Sequence, residues 1–356
     1  MKAMIMAAGI GTRLRPLTNP LPKPMVPILN TPVMEYSVKL LKKHGVKEII
    51  ANTHYNPHFI QDYFEQGERF GVNLQYAYEE KLLGTAGGVK NNMHFLDETF
   101  FVLSGDALTD LDLTKMYHFH KEKHSLATIA LKSVKDVSNY GVVVIDKKGR
   151  IQAFQEKPKK EEALSNVVNT GIYIFEPEIF DYIPQGVYDF GRELFPKLLE
   201  LGTEFYGYIT PDYWCDIGTV NVYKKAQDDA LRISSLRKFA SEDGLVRLKD
   251  SCIAGANSTL DLSTKLGNNV YIGRNCNIGS QVHLNNCIIW DNCTILKNAI
   301  IENAVIGNDC IVGMNSVVGG GSLIGNNTLI GKNILMNKKF SIESNSIVIT
   351  GKTVSA

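Results

Sequence analysis

Met4-Ile5-Met6-Ala7-Ala8-Gly9-Ile10-Gly11-Thr12-Arg13-Leu14-Arg15-Pro16 runs from a short apolar strand straight into a glycine-rich turn, and its reading decides the first half of the chain. Glycines at such a turn let backbone N–H groups approach phosphate oxygens, and Arg13 adds a planar charged fork matched to two of them. The turn is neither familiar phosphate loop: it has no third glycine at the dinucleotide spacing and no Gly-Lys-Ser/Thr ending. It continues into Pro20-Leu21-Pro22-Lys23-Pro24-Met25-Val26-Pro27, within a stretch that holds half of the chain's 12 prolines. Proline fixes φ, so Lys23 sits on a stiffened loop and can be held against a phosphate group at little entropic cost. The plainer alternative is an exposed Pro-rich turn with an incidental lysine.

Outward from this stretch, short apolar runs alternate with helical patterns up to about residue 233, as βαβ units do. Met34, Ser37, Val38 and Leu41 recur at i, i+3, i+4, i+7 before Gly45 ends that helix, and Glu48-Ile49-Ile50 opens another strand. Phe100-Phe101-Val102-Leu103 ends in Ser104-Gly105-Asp106, and Gly141 to Ile145 turns through Asp146-Lys147-Lys148-Gly149 into a hairpin partner. The expected fold is α/β, with a doubly wound, mostly parallel sheet. Ligands bind such sheets at the carboxyl ends of the strands, which singles out Asp106.

The texture changes in the last third. Apolar residues recur every six positions at Leu260, Leu266, Ile272, Ile278, Leu284, Trp290 and Leu296, and again at Ile306, Val312, Val318, Ile324, Ile330 and Met336. Six is the period of a hexapeptide β-helix, whose apolar side chains stack coil on coil. Asn and Gly are abundant here because they tolerate the left-handed backbone of tight corners. Leu296 and Ile306 are out of step, which predicts a register break near Ile300 to Asn303. The expected domains are 1–235, a linker 236–248, and 249–356.

With 356 residues, a net charge of +1, 44% hydrophobic and 21% charged residues, the chain suits two globular domains and has no general attraction for nucleic acid or acidic membranes. No stretch approaches the roughly 20 apolar residues of a membrane helix, and the N-terminus lacks a secretory leader, so a cytoplasmic location is expected. Five of the 6 cysteines follow residue 250 without a CxxC pair, and they read as compact buried thiols rather than a metal or disulfide cluster.

The opening motif resembles the G-x-G-T-R-L-x-P…P-K-P-x-x-P segment of the sugar-phosphate nucleotidyltransferases, most closely their mannose-1-phosphate guanylyltransferase branch. The resemblance continues in order through Leu83-Gly84-Thr85-Ala86-Gly87, Ser104-Gly105-Asp106, Tyr140-Gly141-Val142-Val143, Glu156-Lys157-Pro158, Asn169-Thr170-Gly171-Ile172-Tyr173 and Trp214-Cys215-Asp216-Ile217-Gly218-Thr219. It implies a Rossmann-like catalytic domain followed by a left-handed hexapeptide β-helix. It further implies that Ala8, Gly9, Gly11, Thr12 and Arg13 hold a triphosphate, with Lys23 neutralising the departing pyrophosphate. Asp106 and Asp216 would bind Mg²⁺, which prefers one or two carboxylates plus phosphate oxygens and water; the alternative for Asp216 is a helix cap. Glu80, Gly84 and Thr85 would contact the base, the glycines permitting its close approach. Tyr140, Gly141, Glu156, Asn169 and Thr170 would contact the sugar, and Lys157 its phosphate; Trp214 is either a packing wall or a binding group. GTP and mannose 1-phosphate are the favoured substrates, and glucose 1-phosphate with UTP or dTTP the alternative.

His118, His120 and His124 look like a metal cluster but read as a solvated, positively charged helix end. His283 alone in the repeat region is too little for a zinc site, though it could serve as the base of an acyltransferase; a structural or homo-oligomerising β-helix is preferred. A non-catalytic regulatory subunit is disfavoured because Arg13, Lys23, Asp106, Lys157 and Asp216 are all present. Longer relatives carrying a further phosphosugar domain leave open whether the chain continues past Ala356.

Overall fold

The computed structural model describes residues 1–240, 244–349 and 352–355. Its contacts form two compact units, one of Met1–Gly9 and Met34–Asp216, the other of Ile10–Val33 and Ile217–Ala356.

The first unit is built on a sheet of nine strands. Lys2–Met6 is flanked on both sides by parallel partners, Glu48–Thr53 and Phe100–Ser104, and Asn73–Tyr78 extends the parallel set. Val167–Phe175 and the hairpin Gly141–Ile145/Ile151–Glu156 continue the sheet in antiparallel fashion. The chain runs from Lys2–Met6 through Glu48–Thr53 and Asn73–Tyr78 to one side and then returns to Phe100–Ser104 on the other, so the strand order reverses at the carboxyl ends of Lys2–Met6 and Phe100–Ser104, the place where such sheets bind ligands. The helix expected from the Met34 periodicity is Val33–Lys43, and Gly45 follows it at φ 81°. The core packs Met4, Val102, Ile129 and Tyr173 against an aromatic cluster of Phe100, Phe175, Phe190 and Phe195.

Of the three histidines expected to be solvated, His118 and His124 are exposed, but His120 is not. Helix Leu113–Glu122 ends before His124, and His120 is 1% exposed. Its Nδ1 lies 2.7 Å from Thr128 Oγ1 and its Nε2 3.1 Å from Glu176, so both ring nitrogens are satisfied inside the fold. Burial holds the His120 pKa below the ordinary 6.5, outweighing the Glu176 carboxylate that pulls the other way. A histidine harder to protonate folded than unfolded stabilises fully above the unfolded pKa and loses that contribution as pH falls through the folded one. The thermal midpoint should therefore drop as pH is lowered from 7 to 5. A His120→Asn variant should show a shallower decline, and an unchanged pH slope would refute the assignment.

In the second unit, short strands repeat in three parallel sheets, six coils deep in the longest runs, and each strand pairs with the one 17 or 18 residues later. This is the hexapeptide β-helix. Eleven corner asparagines, among them Asn257, Asn275, Asn292, Asn327 and Asn345, have φ between 48° and 61°. Their side chains bond from coil to coil, as in Asn257 to Asn275 at 3.2 Å and Asn275 to Asn292 at 3.1 Å. The five C-terminal cysteines are buried free thiols; Cys276, Cys293 and Cys310 stack in the core, each Sγ donating to a carbonyl on the next coil, at 3.1, 3.0 and 3.2 Å. The stretch expected as linker contains strand Val246–Lys249, which pairs with Cys252–Ala254; its residues 241–243, like 350, 351 and 356 at the end of the expected β-helix, lie outside the described residues.

The inward register departs from the expected lattice. The break near Ile300 to Asn303 exists, since Ile301 and Ile306 both face inward. A second one precedes it between Leu284 and Ile289, so Ile289 and Ile295 face the β-helix core, while Trp290 is buried outside that core and Leu296 faces outward. Leu296 is 37% exposed. Ile288-Ile289-Trp290 and Thr294-Ile295-Leu296 offer adjacent apolar residues, so period six fits either register. Ile295→Ala should cost about 2–5 kcal/mol in unfolding free energy, against about 0.5 kcal/mol or less for Leu296→Ala. The reverse order in denaturant melts would restore the unbroken lattice.

Candidate active site

In the first unit the candidate site begins where strands Lys2–Met6 and Phe100–Ser104 end side by side, Gly105 N–H donating to Met6 O at 2.9 Å. Ala8 and Gly9 leave the first strand there and Asp106 leaves the second, its carboxylate accepting from Ser104 Oγ. Strand Ala107–Thr109 then pairs antiparallel with Trp214–Asp216, setting Asp216 opposite Ala107. Asp106 directly precedes Ala107, so the backbone positions of two acidic residues distant in sequence come to adjoin. Asp216 is not a helix cap: Thr219 caps helix Val220–Arg232, accepting from Val222 N–H. Among the described residues no third His, Cys, Asp or Glu completes a metal-holding cluster. A two-carboxylate pair fits Mg²⁺, which keeps water and phosphate oxygens in its remaining positions.

The sugar candidates form a wall continuous with this pair. Asn169, Thr170 and Gly171 bulge from strand Val167–Phe175, the bulge closed by Gly171 N–H to Asn169 Oδ1 at 2.9 Å. Asn169 Nδ2 donates to the Tyr173 hydroxyl at 2.9 Å, and Thr170 spends its own hydroxyl on Ala130 O at 2.8 Å. The Trp214 indole donates to Thr170 O at 2.9 Å and meets Tyr140 edge-on at 5.3 Å, so it packs between two of the sugar candidates. Glu156 is paired with Lys157 at 3.1 Å. Gly141 and Gly191 make room for Glu156: a Cβ on either would stand 3.1 or 2.6 Å from its carboxylate. Lys157 takes a left-handed φ of 48° directly after the strand, and its side chain is 55% exposed.

The base candidates follow strand Asn73–Tyr78 and open helix Gly84–Lys90. Glu80 is exposed, whereas Glu79 is 3% exposed and forms a relay beneath the candidate site. Glu79 accepts from Asn52 Nδ2 at 2.7 Å and from Leu83 N–H at 3.0 Å, while Asn52 Oδ1 accepts Ala7 N–H at 2.8 Å. Asn52 and Glu79 thereby tie the strand end that precedes the glycine turn to the start of helix Gly84–Lys90. Nothing in the sequence separates two successive glutamates; only the burial does. Gly84 and Gly87 face protein, not open space: a Cβ on them would lie 2.5 Å from Tyr188 O and 2.2 Å from Gly186 O. Thr85 likewise turns its hydroxyl to Asp189 at 2.9 Å and accepts Phe190 N–H at 2.8 Å.

In the second unit, Gly11 (φ 71°) opens a single turn, Thr12–Leu14, that leaves Arg13 exposed. The Arg13 guanidinium lies over Gly218, whose Cβ position is 3.1 Å from a terminal nitrogen. Gly11 packs on the Lys23 side chain, a Cβ there falling 2.8 Å from Lys23 Cβ, and Thr18 Oγ1 donates to Gly11 O at 2.9 Å. The glycine turn and Lys23, separated in sequence by the Pro-rich stretch, are therefore in contact, and Lys23 is 8% exposed.

Comparison with known proteins bears on this geometry. Residues 2–232 match the nucleotidyl transferase family model, and residues 240–353 match that of the eIF2B epsilon-subunit left-handed β-helix domain. The chain is 52% identical over 241 residues to a UTP–glucose-1-phosphate uridylyltransferase of Synechocystis sp., covering 64% of this chain and 62% of that protein. It is 36% identical over 233 residues to a mannose-1-phosphate guanylyltransferase of Mycobacterium tuberculosis, covering 65% and 64%. The matches thus span under two thirds of either relative's length. Among solved structures, a putative glucose-1-phosphate thymidylyltransferase from Bacillus anthracis aligns with a TM-score of 0.61 at 25% identity, over 67% of this chain and 99% of that one. No helix among the described residues is long and apolar enough to cross a membrane.

Proposed function

Because the chain belongs to the nucleotidyl transferase family, we propose that it is a sugar-1-phosphate nucleotidyltransferase, converting an NTP and a sugar 1-phosphate to an NDP-sugar and pyrophosphate. The observation that carries this is the pairing of Asp216 with Ala107, the residue after Asp106, continuous through Trp214 and Thr170 with the wall that holds Tyr140. A bound Mg²⁺ would neutralise triphosphate charge there. Asp106 and Asp216 would hold the ion. Arg13 and Lys23 supply positive charge to the triphosphate, and Lys157 receives the sugar phosphate. A sugar-phosphate oxygen, already ionised near neutral pH, attacks the α-phosphorus as the bond to the pyrophosphate oxygen breaks and that oxygen carries away the electron pair. No side chain has to remove a proton, so the residues act by positioning and charge stabilisation. Glu156, Asn169 and the Tyr140–Trp214 wall orient the sugar, and the Asn52–Glu79 relay shapes the floor on the nucleotide side.

Glucose 1-phosphate with UTP is the substrate pair supported by the 52% relative. GTP with mannose 1-phosphate is the second reading, supported by the motif resemblance and the 36% relative. A matrix of the common NTPs against glucose, mannose and galactose 1-phosphates, read as kcat/KM, decides between them. If no pair releases pyrophosphate, the reaction class itself fails.

A further inference from the structure

Lys23 sits in a stiff segment. Its turn closes through Met25 N–H to Pro22 O at 2.9 Å and Val26 N–H to Lys23 O at 3.1 Å, and prolines at 20, 22, 24 and 27 fix φ around it. Displacing Pro27 therefore displaces Lys23. Pro27 opens a tight hairpin, Pro27–Ile28 against Thr31–Pro32, whose tip residues Leu29 and Asn30 have φ of 47° and 61°. Leucine is strained there, since its Cβ crowds the backbone, and such a tip persists only where the surroundings hold it.

The holding groups come from helix Val220–Arg232 and from the β-helix. Gln227 donates to Pro27 O at 2.7 Å and accepts Leu29 N–H at 2.8 Å. The Tyr223 hydroxyl donates to the same Pro27 O at 2.8 Å and accepts the Trp290 indole N–H at 2.9 Å. Asn30 Nδ2 donates to Ile272 O at 3.0 Å; nearer the glycine turn, Asn19 Nδ2 donates to Glu343 at 3.0 Å and Ser344 Oγ donates to Asn19 O. Ile272, Trp290 and Glu343 each end or follow a strand of one sheet, so the anchors run along a single corner of the β-helix. Tyr223, Gln227 and Trp290 are at most 2% exposed, so water cannot replace a deleted partner freely.

We propose that the β-helix is a positioning element for nucleotidyl transfer, acting on Lys23 through the Trp290–Tyr223–Pro27 relay. Tyr223 is its positioning residue. This rests on the reading of Lys23 as the cation beside the departing pyrophosphate. Tyr223→Phe removes only the hydroxyl, and with it both dry hydrogen bonds of the relay, to Pro27 O and from the Trp290 indole, which should lower kcat about 10-fold. In the reverse reaction it should raise KM for pyrophosphate by about the same factor, while KM for the NDP-sugar changes less than about 2-fold.

The deciding test is a double-mutant cycle with Lys23→Ala in the full chain. If Tyr223 acts through Lys23, Tyr223→Phe changes the Lys23→Ala rate by less than about 2-fold. The same loss in both backgrounds overturns the proposal, because a general loosening of the fold acts whether or not Lys23 is present. Gln227→Met, which removes the other donor to the same carbonyl, runs in parallel and decides the matter should Tyr223→Phe not fold. A wild-type chain inactive with every substrate pair overturns the function reading and this inference with it; an active wild type with equal losses overturns the inference alone.

Discussion

Arg13→Ala keeps the wild-type thermal midpoint and loses about 10²–10³ in kcat for NDP-sugar formation. The fold is spared because Arg13 is exposed, the core contact of that turn being made by its neighbour Leu14 at 1% exposure. The rate is lost because charge builds on the triphosphate oxygens as the α-phosphorus is attacked, and a pre-placed guanidinium stabilises that charge without reorganising. Its placement is built in: the left-handed Gly11 turns the chain, and the flat face of Gly218 lets the guanidinium lie within 3.1 Å of where a Cβ would be. Arg13→Lys keeps the charge without the planar fork, so it should recover only part of the rate. Initial rates of pyrophosphate release, with a thermal melt on the same samples, check both halves. Near-normal turnover in Arg13→Ala would falsify the assignment.

Asp106→Asn and Asp216→Asn should each lower kcat by about 10²–10³ and raise the Mg²⁺ concentration needed for half-maximal rate. Asn is isosteric, so the rung pairing of Ala107–Thr109 with Trp214–Asp216 survives. The double variant discriminates. If the two carboxylates hold one ion, removing the second after the first costs little more, and the double variant should be within about 3-fold of the worse single one. Losses that multiply would mean that the two act separately and do not share one ion.

The glycines of the 84–87 motif show where motif reading stopped. They were expected to let a base approach closely, yet the space above them is filled by the Tyr188 and Gly186 carbonyls from a segment a hundred residues on. Glu79 and Glu80 present the same difficulty, as do Ile295 and Leu296. In each pair the residue types are equivalent, and one residue of offset decides which of them the fold buries. His120 reads as a solvated end because helix periodicity reports only local neighbours, and its partners Thr128 and Glu176 are on other elements.

The sequence by itself determined the parts whose signal is local. The glycine turn after the first strand, the rigid Lys23 loop, the α/β alternation and the six-residue lattice each depend on spacings of a few residues, where chain stereochemistry alone restricts the answer. The tertiary structure decided everything that depends on distant contacts. It set Asp216 opposite Ala107, next to Asp106, put the inward register of two coils one residue away from the lattice, and buried Glu79 while leaving Glu80 exposed. It also joined the Lys23 loop to the β-helix, through bonds such as Asn19 to Glu343 across 324 residues of sequence. Such pairings leave no periodic trace, because each is one hydrogen bond between residues that could as well have faced water.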